Sequence, residues 1–443
     1  MKRYEAYKPS GTAWFTSVPE PWNILKINAL FSQRKEKVSD KDFAPISVTK
    51  NGIMPQLETV AKTDDGDNRK KVCVGDFVIN SRSDRKGSCG ISSFDGSVSL
   101  INIVLQPRQE LNGRYAHYLL RSQPFSEEFY RNGRGIVADL WTTRYSEMKN
   151  ILLPVPPRDE QDQIVRYLDW QVSKINRLIA AKRKQVELMK DNLKSAVAKL
   201  TTHGIGSHDM CRSEIYWLTE YPSTWHVTKL KYILKKHRRE VPPNAELLIC
   251  SNSGEVTKRG DGKLGLVAAS DDIYQGVKTG DLLIHGMDTW HGAIAISNFD
   301  GMCTPVVHVC TCREEKRFVA YYLKMMAYTK VFKAISNGVR QNTSDFRSWD
   351  KVGDLLICLP DISEQVAIAD ELDKLTDATK KGIACFERHI EKLVDLRTRL
   401  ISDVVTGQID VRGIEIPDDE RAEEFAFPDN TEEESEDIAD EEE

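Results

Sequence analysis

Residues 156–204, PPRDEQDQIVRYLDWQVSKINRLIAAKRKQVELMKDNLKSAVAKLTTHG, decide the fold of this chain. Mostly apolar residues recur in this stretch in alternating steps of four and three, and the positions between them are largely charged or amide side chains. The recurring positions are Ile164, Leu168, Val172, Ile175, Ile179, Lys182, Val186, Met189, Leu193, Ala196 and Leu200. Such spacing predicts a coiled-coil seam along one helix. About forty residues form a rod of roughly 60 Å, which is longer than an ordinary domain is wide.

The seam returns 204 residues further along the chain. The matching positions are Ile368, Leu372, Thr376, Thr379, Ile383, Phe386, Ile390, Leu393, Arg397, Leu400 and Val404. Proline precedes both stretches, at Pro156-Pro157 and at Pro360. The predicted N-caps are Asp159 and Ser363, and the predicted C-terminal stops are His203-Gly204 and Gly407. The simplest partner for one such helix is its own duplicate.

The duplication extends over the whole body of the chain. Six residues near the start recur at an offset of 203, and a strand signal headed by Gly-Asp recurs at 205. The first set pairs Ser10, Trp14, Thr16, Pro19, Trp22 and Lys26 with Ser213, Trp217, Thr219, Pro222, Trp225 and Lys229; the second pairs Gly75-Asp76-Phe77-Val78-Ile79 with Gly280-Asp281-Leu282-Leu283-Ile284. The small drift in offset indicates one duplicated unit of about two hundred residues. We interpret the four repeated tryptophans as core anchors.

Each half begins with a mixed globular region. Strand-like runs are predicted at Val98–Leu105, Leu282–Ile284 and Val306–Val309, and short helices at Tyr115–Arg121 and Phe318–Met326. We therefore expect an α+β fold with two tandem globular domains separated by two long helices. The expected segments are globular domains at 1–158 and 205–362, long helices at 159–204 and 363–408, and a C-terminal segment at 409–443.

The connection between the halves favours an antiparallel coiled coil with pseudo-two-fold symmetry. The chain leaves the first helix and at once begins the second globular domain. A parallel pairing would require that domain to lead the chain back along the whole rod. An antiparallel pairing places one globular domain at each end.

The charge is unevenly distributed. The whole chain carries a formal charge of −5, but residues 418–443 hold fifteen acidic residues and one basic residue, Arg421. The remaining 417 residues contain 61 Lys and Arg against 52 Asp and Glu, a net charge of +9. A basic body with an acidic and, we expect, disordered tail suggests a polyanion-binding protein. An acidic solubility tail on an ordinary body is the alternative.

Composition excludes several other classes. No apolar run approaches the roughly 20 residues that span a bilayer, and the N-terminus has no apolar signal-peptide region. The chain has nine cysteines in no paired spacing, which argues for the reducing cytoplasm and against a disulfide scaffold. Cytoplasmic localisation is the expectation.

No catalytic constellation is found in the sequence. It has no P-loop, no N-P-P-Y-type methyl-transfer motif and no glycine-rich cofactor loop after a strand. Cys303, His308, Cys310 and Cys312 suggest zinc, but their spacing is not that of a finger, and Val307, Val309 and Thr311 alternate as in a strand. Asp300 with Glu314-Glu315-Lys316 resembles a nuclease motif, and we interpret it as solvated surface charge. Metal binding is not expected.

Four polar loops are candidates for contact with DNA. One pair follows the Gly-Asp strands, at 81–86 and 286–291, and a second pair lies at 131–134 and 337–343. Arginine can read guanine, amides can read adenine, and flexible Gly-Asn backbone can approach phosphate. The candidate residues are Arg82, Ser83, Arg85, Lys86, Arg131, Asn132, Arg134, Asp288, Thr289, Trp290, His291, Arg340, Gln341 and Asn342. The alternative is that these loops are ordinary polar surface.

Three motifs in each half carry a family resemblance. The start S-G-x-x-W-x-x-x-x-P-x-x-W at 10–22, the Gly75-Asp76 strand and the P-x-x-x-E-Q helix opening at 156–161 resemble the specificity subunit of type I restriction-modification enzymes. The resemblance covers residues 1 to about 412, so the acidic tail lies outside it. The second half departs at Glu214, where the first has Gly11.

The resemblance implies two target-recognition domains, two antiparallel helices and a bipartite, interrupted double-stranded DNA target. It also implies methyltransferase subunits and restriction or translocase subunits as partners, with no membrane. Chemistry would belong to those partners, with S-adenosylmethionine, ATP and magnesium expected only there and no cofactor in this chain. A coiled-coil adaptor that binds proteins is the rival interpretation, and a nuclease is the second.

Overall fold

The computed structural model describes residues 2–56, 66–82, 85–135, 141–259, 274–336 and 346–417. The chain forms two compact units, one built from residues 1–183 with 387–443 and the other from residues 184–386. We call them the first and the second unit. The boundary falls inside both long helices, so each unit contains a part of each helix. No described helix is long and apolar enough to cross a bilayer.

The first unit combines short strands and helices with the beginning of a long helix. In chain order the elements are β1 (Tyr7–Pro9), β2 (Ser17–Pro19), β3 (Asn23–Lys26), α1 (Ile27–Leu30), β4 (Phe31–Gln33), β5 (Lys37–Val38), β6 (Ile46–Thr49), β7 (Gly52–Pro55), β8 (Arg69–Val72), β9 (Phe77–Asn80), β10 (Cys89–Ile91), β11 (Gly96–Val98), β12 (Asn102–Pro107), α2 (Gly113–Arg121), α3 (Gln123–Arg131), α4 (Tyr145–Met148), β13 (Leu152–Val155) and α5 (Arg158–His203). Its largest sheet has the order β10-β9-β12-β4, with every pairing antiparallel.

The second unit repeats this order, except that β5 has no counterpart among its described residues. Its elements are β14 (Met210–Arg212), β15 (Glu220–Pro222), β16 (His226–Lys229), α6 (Leu230–Ile233), β17 (Leu234–His237), β18 (Leu248–Cys250), β19 (Val256–Lys258), β20 (Gln275–Val277), β21 (Leu282–His285), β22 (Ile294–Ile296), β23 (Gly301–Cys303), β24 (Val307–Cys312), α7 (Lys316–Tyr328), α8 (Val331–Ile335), α9 (Trp349–Gly353), β25 (Leu356–Leu359) and α10 (Ile362–Val405). The sheet order β22-β21-β24-β17 is that of the first unit, strand for strand. Strands and helices together confirm the expected α+β class.

Two of the four repeated tryptophans, Trp22 and Trp225, are buried in the cores, as predicted, whereas Trp14 and Trp217 are partly buried and pack against them. Trp22 is fully buried, and its Nε1 donates to the Glu160 carboxylate at 3.0 Å. Trp225 is buried in the same way, and its Nε1 donates to Glu364 at 3.2 Å. Each indole therefore ties the start of a globular region to the first turn of a long helix. Because a buried indole N–H needs an acceptor, both halves use the same Trp–Glu pair.

The predicted helix stops are confirmed. Gly204 follows α5 with a φ of 73°, and Gly407 follows α10 with a φ of 75°. This left-handed conformation favours glycine at the C-terminal end of a helix. A Cβ on Gly407 would also lie 2.4 Å from Cδ of Pro19, so the close approach excludes a side chain.

Three local predictions were wrong. The N-cap of α10 is Asp361, whose Oδ1 accepts from the backbone N–H of Glu364 at 2.9 Å, and Ser363 lies inside the helix. Similarly, α5 begins at Arg158, so Asp159 lies in its first turn. The run Val98–Leu105 is not one strand, because a turn closed from Asn102 N–H to the Ser99 carbonyl separates β11 from β12.

Both units contain contacts between their segments of α5 and α10. In the first unit, Arg397 Nη1 of α10 donates to Asn176 Oδ1 of α5 at 2.6 Å. Gln163 Nε2 of α5 donates to the carbonyls of Val411 and Ile414, in the segment that follows α10, at 3.1 and 2.9 Å. In the second unit, a single apolar core includes Leu193 and Val197 of α5 and Ile368, Ala369 and Leu372 of α10.

A bidentate ion pair holds the same strand in each unit. Arg34 donates from Nε and Nη2 to Asp76, which heads β9, at 2.7 and 3.1 Å. Arg239 makes the equivalent pair with Asp281, which heads β21. Each aspartate also accepts a backbone N–H three residues upstream at 2.8 Å, from Cys73 in the first unit. The pair therefore fixes the strand that leads into the first candidate loop.

We expect Asp76→Ala to lower the free energy of unfolding by about 3 kcal/mol, because it leaves a mostly buried guanidinium and a backbone donor without their acceptor. Asp67→Ala is the control, since the Asp67–Lys41 pair spans 3.9 Å and both side chains are over 70 % exposed. Its expected cost is under about 0.5 kcal/mol. Urea unfolding of the full chain at neutral pH measures both. Equal losses would contradict a structural role for the buried pair.

Candidate nucleic-acid interface

The two candidate loops of the first unit come together. Arg134 and Thr142 exchange both backbone hydrogen bonds at 3.0 Å, and Thr142 also forms a bridge with Arg82. Thr143 N–H donates to the Ser81 carbonyl at 2.9 Å beside it. Thr142 thus stands between the loop at 81–86 and the loop at 131–134. The sequence contained no signal for this pairing, because single bridges have no periodic pattern.

Strand β9 determines how the first loop leaves the sheet. All four residues of β9 are buried, and the last, Asn80, accepts the Arg82 N–H on its Oδ1 at 3.0 Å. This is a local turn that asparagine favours. Tyr130 of α3 donates its hydroxyl to the Arg85 carbonyl at 3.1 Å, which fixes the far side of the loop.

Basic side chains of these loops lie at the surface of the first unit. Arg82, Lys86, Arg131 and Arg134 are exposed, and Arg85 is half-buried. Arg131 forms an ion pair with Glu128 one helical turn earlier, and Asn132 Nδ2 donates to the Glu128 carbonyl and carboxylate at 2.8 and 2.9 Å. Asn132 therefore helps to end α3. The exposed side chains of Arg82, Lys86 and Arg134 give these loops a basic surface of the kind that suits phosphate or guanine.

The equivalent loop of the second unit is less basic. Thr289–His291 form a single 3₁₀ turn after β21. Asp288 lies 3.1 Å from His285 Nδ1, and burial lowers the pKa of His285. Lys333 Nζ lies 6.0 Å from the centre of the Trp290 ring, whose Nε1 is buried without an acceptor among the described residues.

Burial separates the candidates of this second loop. His291 is exposed, whereas the Thr289 side chain is fully buried and faces the core. Thr289 cannot reach a base while this turn is intact. The remaining candidates, Ser83, Arg340, Gln341 and Asn342, lie outside the described residues.

The alternative motifs take part in ordinary structural contacts. The run that includes His308, Cys310 and Cys312 lies on β24, as the alternation predicted, and burial raises the pKa of the Cys310 thiol to about 12. Among the residues that the structure describes, no group of three or more His, Cys, Asp or Glu side chains is arranged to hold a metal ion. A buried, protonated thiol is a poor metal ligand.

The nuclease-like residues are engaged separately. Asp300 Oδ1 accepts from Thr279 N–H and Oγ1 at 2.6 and 2.9 Å, and Asp95 accepts from Val74 N–H in the same way in the first unit. Lys316 Nζ donates to the Gly280 carbonyl at 3.2 Å. The Asp300 and Asp95 contacts stabilise equivalent turns in the two units, and the Lys316 contact joins the start of α7 to the turn before β21.

The geometry thus defines a chain with two equivalent scaffolds whose exposed loops differ. Over most of its length the chain is similar to type I restriction enzyme specificity subunits. It is 24 % identical to the putative MjaX specificity subunit of Methanocaldococcus jannaschii over 443 aligned positions, which cover 89 % of this chain and 95 % of that protein. It is also 24 % identical to the MjaVIII specificity subunit of the same organism, over 90 % of this chain and 95 % of the relative.

A solved structure shares the fold. Its description concerns complex assembly and conformational transition of the type I R-M system. The superposition has a TM-score of 0.64 and covers 88 % of this chain and 99 % of that chain, at 13 % identity. No protein-family profile matches the chain.

Proposed function

We propose that this chain recognises a bipartite, interrupted target on double-stranded DNA for a type I restriction-modification complex. It directs methyltransferase and restriction subunits to that target and performs no chemistry itself. The observation that carries the proposal is the duplication: two scaffolds share buried ion pairs and tryptophan anchors, while the loops that leave them differ in charge and shape. Two different readers on one chain suit a target with two different halves.

Residues 1–158 and 205–362 serve as target-recognition domains in this proposal, and α5 and α10 pair as an antiparallel coiled coil with pseudo-two-fold symmetry. The contacts in the first unit support this direction. Gln163, early in α5, bonds residues 411 and 414, whereas Asn176, further along, bonds Arg397, earlier in the chain. The residue numbers of the bonded partners decrease as the residue numbers along α5 increase, as expected for antiparallel segments.

The same proposal assigns cofactors and location. S-adenosylmethionine, ATP and magnesium belong to the partner subunits. The complex works in the cytoplasm, which suits a chain whose nine cysteines are all free thiols.

The salt dependence of DNA binding tests the function. We expect the affinity of the full chain for random-sequence duplex to fall steeply between 50 and 200 mM salt, because each neutralised phosphate contributes a slope of about −0.9 in log K against log salt. A protein adaptor would show little duplex binding and no such slope.

A single arginine tests the interface. We expect Arg134→Ala to weaken binding to a selected target by about tenfold, the loss typical of one arginine contact. Arg399→Ala is the control, since this α10 side chain is 84 % exposed but lies outside the candidate loops. Fluorescence anisotropy with a labelled duplex measures both variants. Equal effects would show that binding responds only to net charge.

A further inference from the structure

A buried carboxylate joins the globular part of the first unit to its long helix. Asp169, on α5, is 9 % exposed. Its Oδ2 lies 2.9 Å from Arg114 Nη2, and its Oδ1 accepts from the Tyr118 hydroxyl at 2.9 Å. Arg114 and Tyr118 are one turn apart on α2. One face of α2 therefore contacts one position on α5 through a charged, directional interaction.

The second unit contains an equivalent arrangement around a carboxylate that is 42 % exposed, and its arginine also pairs with Glu315 and Asp370. Asp373, on α10, accepts from Arg317 Nη1 at 2.7 Å and from the Tyr321 hydroxyl at 2.8 Å, both on α7. Arg317 and Tyr321 match Arg114 and Tyr118 at an offset of 203, and Asp373 matches Asp169 at 204. We call each set of Arg, Tyr and Asp a brace. The brace persists in both halves although the neighbouring loops have diverged.

The other end of each short helix is also fixed. Arg121, in the last turn of α2, donates to the carbonyls of Cys89 and Lys50, and Lys50 lies in the turn between β6 and β7. Lys324 of α7 donates to the Gly254 carbonyl at 3.1 Å, in the turn between β18 and β19. A rigid helix thus links a β-hairpin at one end with the long helix at the other, in both units.

Stability alone does not account for this choice of residues. Burial raises the pKa of Asp169 by desolvating its carboxylate, and the contacts with Arg114 and Tyr118 offset that effect. A pair whose arginine is 48 % exposed adds little stability, but its hydrogen bonds restrict geometry, because they tolerate only a narrow range of distances and angles.

We infer that Asp169 and Asp373 are positioning residues that set the angle of each recognition domain on its own long helix, and thereby the spacer length that the chain accepts between half-sites. The inference rests on the proposed function. Apolar contacts have no preferred direction, and the Trp–Glu hydrogen bonds fix each domain only at the first turn of its long helix, so without the brace the domain could rock about that turn. A rocking domain would still read its own half-site, but it would tolerate a neighbouring half-site at several distances.

The test compares matched carboxylate-to-amide variants on the same helix. Asp169→Asn removes the charge of the brace while keeping its shape. Asp191→Asn removes an exposed charge of α5. The partner of Asp191, Lys194, lies 3.0 Å away on the same helix, so this pair does not join α5 to another element. Tyr118→Phe removes a single hydroxyl and continues the test should the first variant fail to fold.

The probe is a duplex series built from the target that the wild-type full chain selects from a random library, with the spacer shortened or lengthened by one and two base pairs. We expect Asp169→Asn and Tyr118→Phe to keep the base preference within each half-site. We expect the preference for the native spacer over the one-pair-shifted spacers to fall about three- to tenfold, the effect of one ordinary intramolecular hydrogen bond. Asp191→Asn should keep the wild-type profile.

The outcomes separate the two claims. If the wild-type chain selects no two-part sequence, the proposed function fails, and the inference fails with it. If the wild type selects a spaced target and the brace variants fold with an unchanged spacer profile, the positioning role alone is overturned. A uniform loss of affinity at every spacer would also overturn it, because that result reports stability rather than geometry.

Discussion

A fragment that ends near residue 208 is expected to form a symmetric dimer and to select an interrupted palindrome. The first unit completes its core with residues of the second long helix: Leu400, Val404 and Val405 are all buried in it. The fragment lacks them. Burying three such side chains contributes roughly 5–8 kcal/mol, which is comparable with the whole stability of a domain.

A second copy of the fragment can supply the missing surface. The positions 204 residues before these three are Ala196, Leu200 and Thr201 of α5. A two-fold interface is self-complementary, so each copy offers its partner the segment that it needs. An association worth about 8 kcal/mol corresponds to micromolar affinity. Lys182 weakens the dimer, because the intact chain has Phe386 at the matching position.

The fragment dimer would carry two identical readers in opposite orientation. Its target should therefore be the first half-site followed, after a spacer, by its inverted repeat. Analytical ultracentrifugation of the fragment, then selection from random duplexes, measures both steps, with the full-length chain as the reference. A folded monomer, or a dimer that selects no symmetric site, would contradict the pseudo-two-fold arrangement.

The scaffold could be predicted from the sequence because it is repeated. Trp22 and Trp225 recur at one offset, and both prove to be buried against a glutamate of the following helix. The same comparison identifies the Gly-Asp strands and the two helix ends. A residue with the same structural role in both halves recurs at a fixed offset, and such a recurrence is visible in the sequence alone.

Contacts that occur once, or that join distant segments through side chains, could not be predicted. The bridge between Arg82 and Thr142 depends on a loop path that no periodicity encodes. Asp361 rather than Ser363 caps α10. The sequence could not distinguish them, because both residue types suit an N-cap and only the backbone path decides which one occupies it. Thr289 was a candidate for DNA contact because it lies in a polar loop, but its side chain is fully buried in the 3₁₀ turn.

Insertion of one heptad into each long helix is expected to lengthen the spacer of the DNA target by about three base pairs or to abolish binding. Seven residues add roughly 10 Å to a helix, and B-DNA rises about 3.4 Å per pair. The insertion points are after Arg183 in α5 and after Phe386 in α10, where the two units meet along the chain. Neither point lies inside the compact part of a unit.

The heptad length matters because it preserves the seam. Seven residues turn an α-helix by about 20° less than two full turns, so each recognition domain keeps nearly its original facing. Three base pairs, however, rotate B-DNA by about 100°, since one turn takes 10–10.5 pairs. The longer spacer therefore fits only if the DNA twists to restore the groove phase. If the free energy needed to twist the DNA exceeds the free energy of binding, the chain no longer binds.

A heptad inserted into α5 alone is the control for the double insertion. It shifts one helix along the other, so seam positions such as Leu193 and Ile368 no longer face their partners, and we expect this variant to lose stability as well as binding. Thermal unfolding separates it from the double insertion, which keeps the seam paired. Selection from random duplexes then gives the spacer of the double insertion. An unchanged spacer at unchanged affinity would contradict the proposal that the paired helices measure the distance between half-sites.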